Sequence, residues 1–257
     1  MPTVISLVNQ KGGVGKTTST INLAHALMAR GKNVLMVDCD PQGSLTIYAG
    51  QDPRALEAEK KTLYWGLMKE KNLADIIIRV PERPALIPSS IQLASAEPEL
   101  VQEWDSASVL REKLAPVKAL FDYVLLDCPP TLTLLTVNAL TAANLVLIPV
   151  KTDYLSIMGI PLLLQTVERI QIKANPNLRI LGVLPTIFTE RNNHDSQCLV
   201  ELRASLGPKI QVLEPIKRST AFDKSAAEAR PTVEFLPNTP GVQNYYQLAD
   251  YIITSYG

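Results

Sequence analysis

Five short runs along the 257-residue chain are apolar almost throughout: TVISLV (3–8), NVLMVD (33–38), DYVLLD (122–127), NLVLIPV (144–150) and LRILGVLP (178–185). Runs of this kind, rich in Val, Leu and Ile and without alternation, predict strands buried on both faces. Between them lie longer segments with apolar residues at helical spacing. One helix is expected from about Lys16 to Arg30, and others at Leu155–Lys173, His194–Ser205, Ser219–Ala229 and Gly241–Tyr256. Strands alternating with helices predict an α/β fold, a mostly parallel twisted sheet flanked by helices. Between Ala49 and Ser106 the rhythm weakens, with charged GQDPRALEAEKK and one short helix about Leu63–Lys71. The expectation is a single domain over 1–257 with a variable insertion, about 49–106, laid over the sheet. No repeat or low-complexity tract interrupts it, and since the first strand opens at once, no N-terminal helix-turn-helix is expected.

Composition changes this picture only by exclusion. Hydrophobic residues make up 46% of the chain, enough for a sizeable core. Lys+Arg and Asp+Glu balance at 25 each, so any contact with nucleic acid or membrane must come from a local patch. Cys39, Cys128 and Cys198 have no C-x-x-C spacing and form no metal quartet, which suits a reduced cytosol. There is no leader-like N-terminus, and no apolar run reaches the roughly 18 residues of a membrane span, so a soluble, unexported protein is expected.

The chemistry concentrates after the first strand, in VNQKGGVGKTT (Val8–Thr18). A strand, a glycine-rich turn and a helix opening at Gly15-Lys16-Thr17 form the context of a phosphate-binding loop. Backbone N–H groups of Gly13, Val14, Gly15, Lys16, Thr17 and Thr18 would converge on phosphate, Lys16 would bridge the β- and γ-phosphates, and Thr17 would offer a hydroxyl to Mg²⁺. Lys11, just ahead of Gly12 and Gly13, is one lysine more than such a loop needs. Two carboxylate stations support the reading. Asp127 ends the run DYVLLD, where an acid can reach Mg²⁺ through water, and Asp38 and Asp40 sit in VDCDPQG, where Pro41 and Gly43 end the strand. Each alone is also an ordinary strand-end acid; their place at the ends of successive strands favours function.

KGGVGKTT, VDCDPQGSLT, LLDCPP and NALTAANLVLIPVKTDYLSIMGI resemble the ParA/Soj partition ATPases, within the deviant Walker-A P-loop class that also holds MinD and the nitrogenase iron protein. The likeness is strongest before Gly159 and thin between Ala49 and Ser106. It implies ATP and Mg²⁺ as cofactors and a nucleotide-sandwich homodimer in which Lys11 reaches the partner's nucleotide. It also implies that Asp40 positions the attacking water or the magnesium shell, with Asp38 the secondary candidate. VEFLPNTPG resembles the family's adenine-side loop, with Pro237 as the contact. Lys151 is read as a surface lysine. Arg191 and Arg218 fall where the family touches DNA backbone, and Lys217 joins them, although Asp223 and Glu228 dilute the patch formed with Lys224 and Arg230.

The cysteine pattern excludes the cluster-carrying relatives. No lysine or arginine follows Arg230, so a lipid-binding C-terminal helix of the MinD type is not expected. Tyr245, Tyr246, Tyr251 and Tyr256 resemble a kinase tyrosine cluster but, at helical spacing, predict an aromatic face packed on the sheet. The expected function is a weak ATPase, cytoplasmic and nucleoid-associated. It would bind nonspecific double-stranded DNA as the ATP dimer and position a plasmid, chromosome or protein organelle such as a carboxysome, stimulated by a ParB-like or cargo-adaptor protein. The alternatives are a phosphotransferase, kinase or ligase on the same fold, or a MinD-like membrane-cycling regulator.

Overall fold

The computed structural model of the chain describes residues 2–68, 71–207 and 209–257. Its sheet holds β1 (Thr3–Leu7), β2 (Val34–Asp38), β3 (Ala85–Ile87), β4 (Tyr123–Asp127), β5 (Leu145–Lys151) and β6 (Arg179–Thr186), in the spatial order β3-β2-β4-β1-β5-β6. Every pairing in that sheet is parallel. The five apolar runs are five of these strands, and both faces of each are covered. In β1, Ile5 and Leu7 point to one core and Val4 to the other; in β4, Tyr123 and Leu125 oppose Val124 and Leu126. Each fully buried leucine here contributes about 1.5–3 kcal/mol over an exposed one, which is why the strands tolerate no polar alternation.

The helices Lys16–Met28 and Val242–Tyr256 cover one face, through Ile21, Leu23 and Leu27 from the first and Tyr245, Leu248 and Ile252 from the second. Helices Val109–Lys118, Leu134–Ala142 and Ile160–Lys173 cover the other, through Leu114, Leu140 and Val167 among others. The chain leaves β1 toward β2 on one side and passes from β4 to β5 on the other. The crevice of this open sheet therefore lies at the carboxyl end of β1, where ligands of such folds bind.

Three expectations change. The stretch 49–106 does not merely lie over the sheet: it supplies the edge strand β3, paired to β2 from Leu35–Ala85 to Val37–Ile87, and buries Leu63, Leu67, Leu93 and Leu100. The helix expected over 155–173 is two, Tyr154–Met158 and Ile160–Lys173, because Pro161 has no N–H for the preceding turn and restarts the helix in its own first turn. The short helix runs Leu63–Met68, and residues 69 and 70 of its expected span lie outside the described residues. The tyrosine face is packed as expected: Tyr245 is fully buried, and Tyr246, Tyr251 and Tyr256 flank the same core.

Candidate functional site

The loop after β1 is shaped by two glycines. Gly13 and Gly15 adopt φ of 69° and 79°, a left-handed conformation that disfavours side chains, and Gly15 stands at the N-cap of helix Lys16–Met28. No side chain caps that helix and no acid lies in its first turn, so its first N–H groups and its positive dipole end face the crevice. A Cβ at Gly13 would meet nothing within 4 Å, which leaves that wall of the cradle open. Asn9 fixes the loop's entry: its Nδ2 donates to the Pro149 carbonyl at 2.7 Å and its Oδ1 accepts from Lys11 N–H at 2.9 Å. Thr186 fixes the far side, its hydroxyl donating to the Val14 carbonyl at 2.8 Å.

Lys16 is buried and folds back over the loop, donating to the carbonyls of Asn9 and Lys11 at 3.1 and 3.2 Å. Burial lowers its pKa below the ordinary lysine value, against the opposing charges of Asp127 and Asp40. An anion in the cradle would relieve that cost. Asp127, at the end of β4, accepts from Thr17 Oγ1 at 2.7 Å and from Thr20 Oγ1 at 3.1 Å. Burial pushes its carboxyl up to about 6, while Thr17, Thr20 and Lys16 pull the other way.

Asp38 and Asp127 are register partners on adjacent strands. Asp38 is fully buried, and its pKa is pushed up to about 8, first by burial and then by the charge of Asp127. Its oxygens accept from Thr46 N–H at 2.8 Å, Thr46 Oγ1 at 2.7 Å and Asp40 N–H at 3.2 Å. Asp38 therefore shapes the loop. Asp40 is partly exposed, and its carboxylate accepts from Gln42 N–H at 2.9 Å.

Lys11 points away from its own cradle. Its ammonium donates to Asp153 Oδ1 at 3.0 Å and Ser156 Oγ at 2.9 Å, on the helix Tyr154–Met158 that follows β5. Lys151 reaches the other oxygen of Asp153 at 3.4 Å, so this carboxylate lies between two lysines. Burial alone would raise its pKa; the bonds from Lys11 and Ser156 outweigh that and bring it down to about 2. Tyr154, Leu155 and Met158 on the same helix are 56–74% exposed, an apolar face with no cover in the protomer.

Beside the loop opens a cavity of about 450 Å³, walled by Gly13, Gly15 and Thr18 on one side and by Ile187, Thr220 and Phe222 on the other. That is the size of a small-molecule pocket. Lys217 and Arg218 lie on its wall, whereas Pro237 is exposed and does not line it. A parallel bridge between Phe188 and Lys217 brings Arg191, Lys217 and Arg218 to one end of the molecule. Lys217 is not free there, since its ammonium meets Glu190 at 2.7 Å.

A glycine cradle, an inward lysine, a threonine and a strand-end aspartate, with acids on the next strand, make a P-loop nucleotide site by geometry. The family AAA_31, an AAA domain, matches residues 2–180. Sporulation initiation inhibitor protein Soj of Bacillus subtilis (strain 168) is 38% identical over 250 residues, 97% of each chain. The chain belongs to the Soj/ParA partition ATPases. Chromosome partitioning protein ParA of Caulobacter vibrioides (strain NA1000 / CB15N) is 36% identical over 98% of this chain and 94% of its own. Among solved structures, a Mycobacterium smegmatis protein named cobyrinic acid a,c-diamide synthase, with bound ADP and magnesium, is 33% identical. It superposes with a TM-score of 0.87 over 100% of this chain and 96% of that one.

The sequence reading missed Asn9, Thr20, Thr46, Asp153 and Ser156. Thr20 had a signal, since it stands three residues after Thr17 on the same helix face. So did Asp153, two residues past β5 at the edge where this site is built.

Proposed function

We propose that this chain is an ATP-hydrolysing switch that closes as a nucleotide-sandwich homodimer, holds nonspecific double-stranded DNA in the ATP state, and positions a cargo. The observation that carries the reading is the outward Lys11. Lys16 already fills the cradle, so the second ammonium serves something beyond its own loop, and it stands beside an uncovered apolar face suited to a second protomer.

ATP and Mg²⁺ fit the residues present: an uncapped helix N-terminus for phosphate, and Thr17 with Asp127, the latter through water, for the cation, with Asp40 close to the same station. Bound there, Mg²⁺ supplies charge neutralisation for the β- and γ-phosphate oxygens. Lys16 binds the same phosphates, and Asp40 orients the attacking water. Thr18 and Phe222, on the walls of the cavity beside the loop, would flank the adenine. Pro237 is exposed and does not line that cavity, so the adenine contact falls to the cavity wall instead.

Arg191, Lys217 and Arg218 gather at one end of the protomer, and two such ends on one dimer raise affinity for phosphates by linked binding. Arg191 and Arg218 carry more of this than Lys217, which Glu190 partly neutralises. A ParB-like or cargo-adaptor protein stimulates hydrolysis and releases the dimer from the nucleoid. Among the described residues no helix is long and apolar enough to cross a membrane.

Fluorescence anisotropy on two unrelated duplexes, with ATP or ADP at two salt concentrations, tests the switch. Binding should require ATP, ignore sequence, weaken steeply with salt and fall sharply in Arg191→Glu, which is exposed, lies outside the cavity wall and should still dimerise. Equal binding in ADP and ATP, or none in either, would remove the DNA matrix from the reading. The 33%-identical relative named as a synthase keeps a ligase on the same fold in view. Release of free phosphate with no acceptor present separates the two.

A further inference from the structure

Asp153 serves two lysines that come to it from different elements. Lys11 arrives from the phosphate loop, and its ammonium meets Oδ1 at 3.0 Å and Ser156 Oγ at 2.9 Å. Lys151 is the last residue of β5, and a tight turn, closed by Asp153 N–H on the Lys151 carbonyl at 2.8 Å, brings the two side chains together. Its ammonium stands 3.4 Å from Oδ2, a looser contact on the oxygen that Lys11 leaves open. Among the described residues no other carboxylate pairs with Lys151. Asp195, on the helix Asn193–Leu206, is already held by Thr189 N–H at 2.8 Å and by Asn192 Nδ2 at 2.9 Å. The end of β5 is also fixed to the nucleotide site. Lys151 is in register with Thr186, whose hydroxyl holds the Val14 carbonyl, and it lines the cavity with Gly13 and Gly15.

For Lys11 to reach a partner's phosphates, its ammonium must leave Asp153, a carboxylate only 24% exposed. Leaving a partly buried charge without a counter-charge is costly. Oδ1 would keep the Ser156 N–H, at 2.8 Å, and lose its cation. Lys151 offsets that loss, because its flexible four-carbon stem lets the ammonium close the remaining gap to Oδ2 as Lys11 departs. We propose that Lys151 is a positioning residue for the ATP dimer, taking over Asp153 so that Lys11 is free to cross. The lysine that the sequence presents as a surface charge thus sets how readily its neighbour is released. This rests on the cross-dimer role of Lys11 proposed above, and it adds a second lysine that acts through Asp153 rather than on the nucleotide.

Sedimentation equilibrium of the full chain with saturating ATP, in an Asp40→Ala background to prevent turnover, reads the dimer constant. Lys151→Gln should weaken it roughly ten-fold, about three-fold for each protomer, whereas Lys151→Arg should stay within about two-fold of the parent. Combined with Asp153→Asn, the same Lys151→Gln change should do nothing, because no carboxylate remains to be handed over. ATP titration of the Lys11→Ala protein, expected to be monomeric, supplies a second readout: its affinity should not change on adding Lys151→Gln. A loss of roughly ten-fold there would make Lys151 a direct contact of the nucleotide and overturn the handover. So would equal weakening by Lys151→Gln with and without Asp153→Asn, or no weakening in either. A parent protein that stays monomeric in ATP would sink the cross-dimer reading, whereas a parent that dimerises and is indifferent to Lys151→Gln sinks the handover alone.

Discussion

Releasing Lys11 from Asp153 should strengthen the ATP dimer, and the size of the effect follows from the geometry. The pair is 3.0 Å apart, with side chains 41% and 24% exposed, so water screens it heavily. Its direct Coulomb energy in high dielectric, less the cost of fixing a lysine, leaves about 1 kcal/mol. Lys11 must give up this bond before it can cross to a partner's phosphates, and two protomers do so at once. Removing the charge at 153 should therefore favour the dimer by about 2 kcal/mol, a roughly 30-fold tighter association. Asp153→Asn is the suitable change. The aspartate also caps helix Tyr154–Met158 by accepting from Ser156 N–H at 2.8 Å, and asparagine caps as well. Sedimentation equilibrium with ATP, in an Asp40→Ala background to prevent turnover, gives the dimer constant. A constant unchanged or weakened by Asp153→Asn would refute the restraint. The restraint should also be indifferent to pH over the physiological range. The Asp153 carboxyl is depressed to about 2, so its contribution is complete above the ordinary carboxylate value near 4 and is lost only as pH falls through about 2.

Lys16→Ala should abolish nucleotide binding by isothermal titration, whereas Lys11→Ala should bind ATP and remain monomeric by light scattering; an ATP-dependent Lys11→Ala dimer would overturn the cross-dimer role. Asp40→Ala should cut single-turnover hydrolysis on the order of 10²-fold with ATP still bound, and Asp38→Ala should instead lower the melting temperature, since its oxygens hold Thr46 and Asp40 N–H groups. The reverse pattern would exchange the two acids. Gly241 has φ of 92°, and a Cβ there would lie 3.0 Å from Lys217 N, so Gly241→Ala should cost about 1–3 kcal/mol in urea denaturation. A loss under 0.5 kcal/mol would mean that the loop relaxes freely.

What could be read in the sequence was local, and what could not was made by distant residues meeting. The cradle is legible because its glycines, lysine and threonine adjoin a buried strand in one stretch of chain. β3 was not, because its three residues lie between Pro84 and Pro88, and prolines read as breaks although the edge of a sheet tolerates them. Helix Val109–Lys118 was obscured in the same way by Pro116 within it. The Lys11–Asp153 contact spans 142 positions, and only the order β1-β5 brings it together. The wall of the cavity opposite the loop is likewise assembled from β6, the 216–222 stretch and the last helix, and so the choice of Pro237 missed it.

Ser19, on the helix that opens from the cradle, shares a hydrogen bond with Tyr245, 226 positions later, and the last turn of the chain returns to Thr3. In the cell these partners are not made together. At about 5–20 residues per second, the P-loop helix waits roughly 10–45 s for the helix that covers Ile21 and Leu27. Through that interval the nascent chain carries its complete phosphate-loop sequence with one apolar flank uncovered. The helix that opens from the phosphate loop thus gains the cover of its apolar flank only once Val242–Tyr256 has been made.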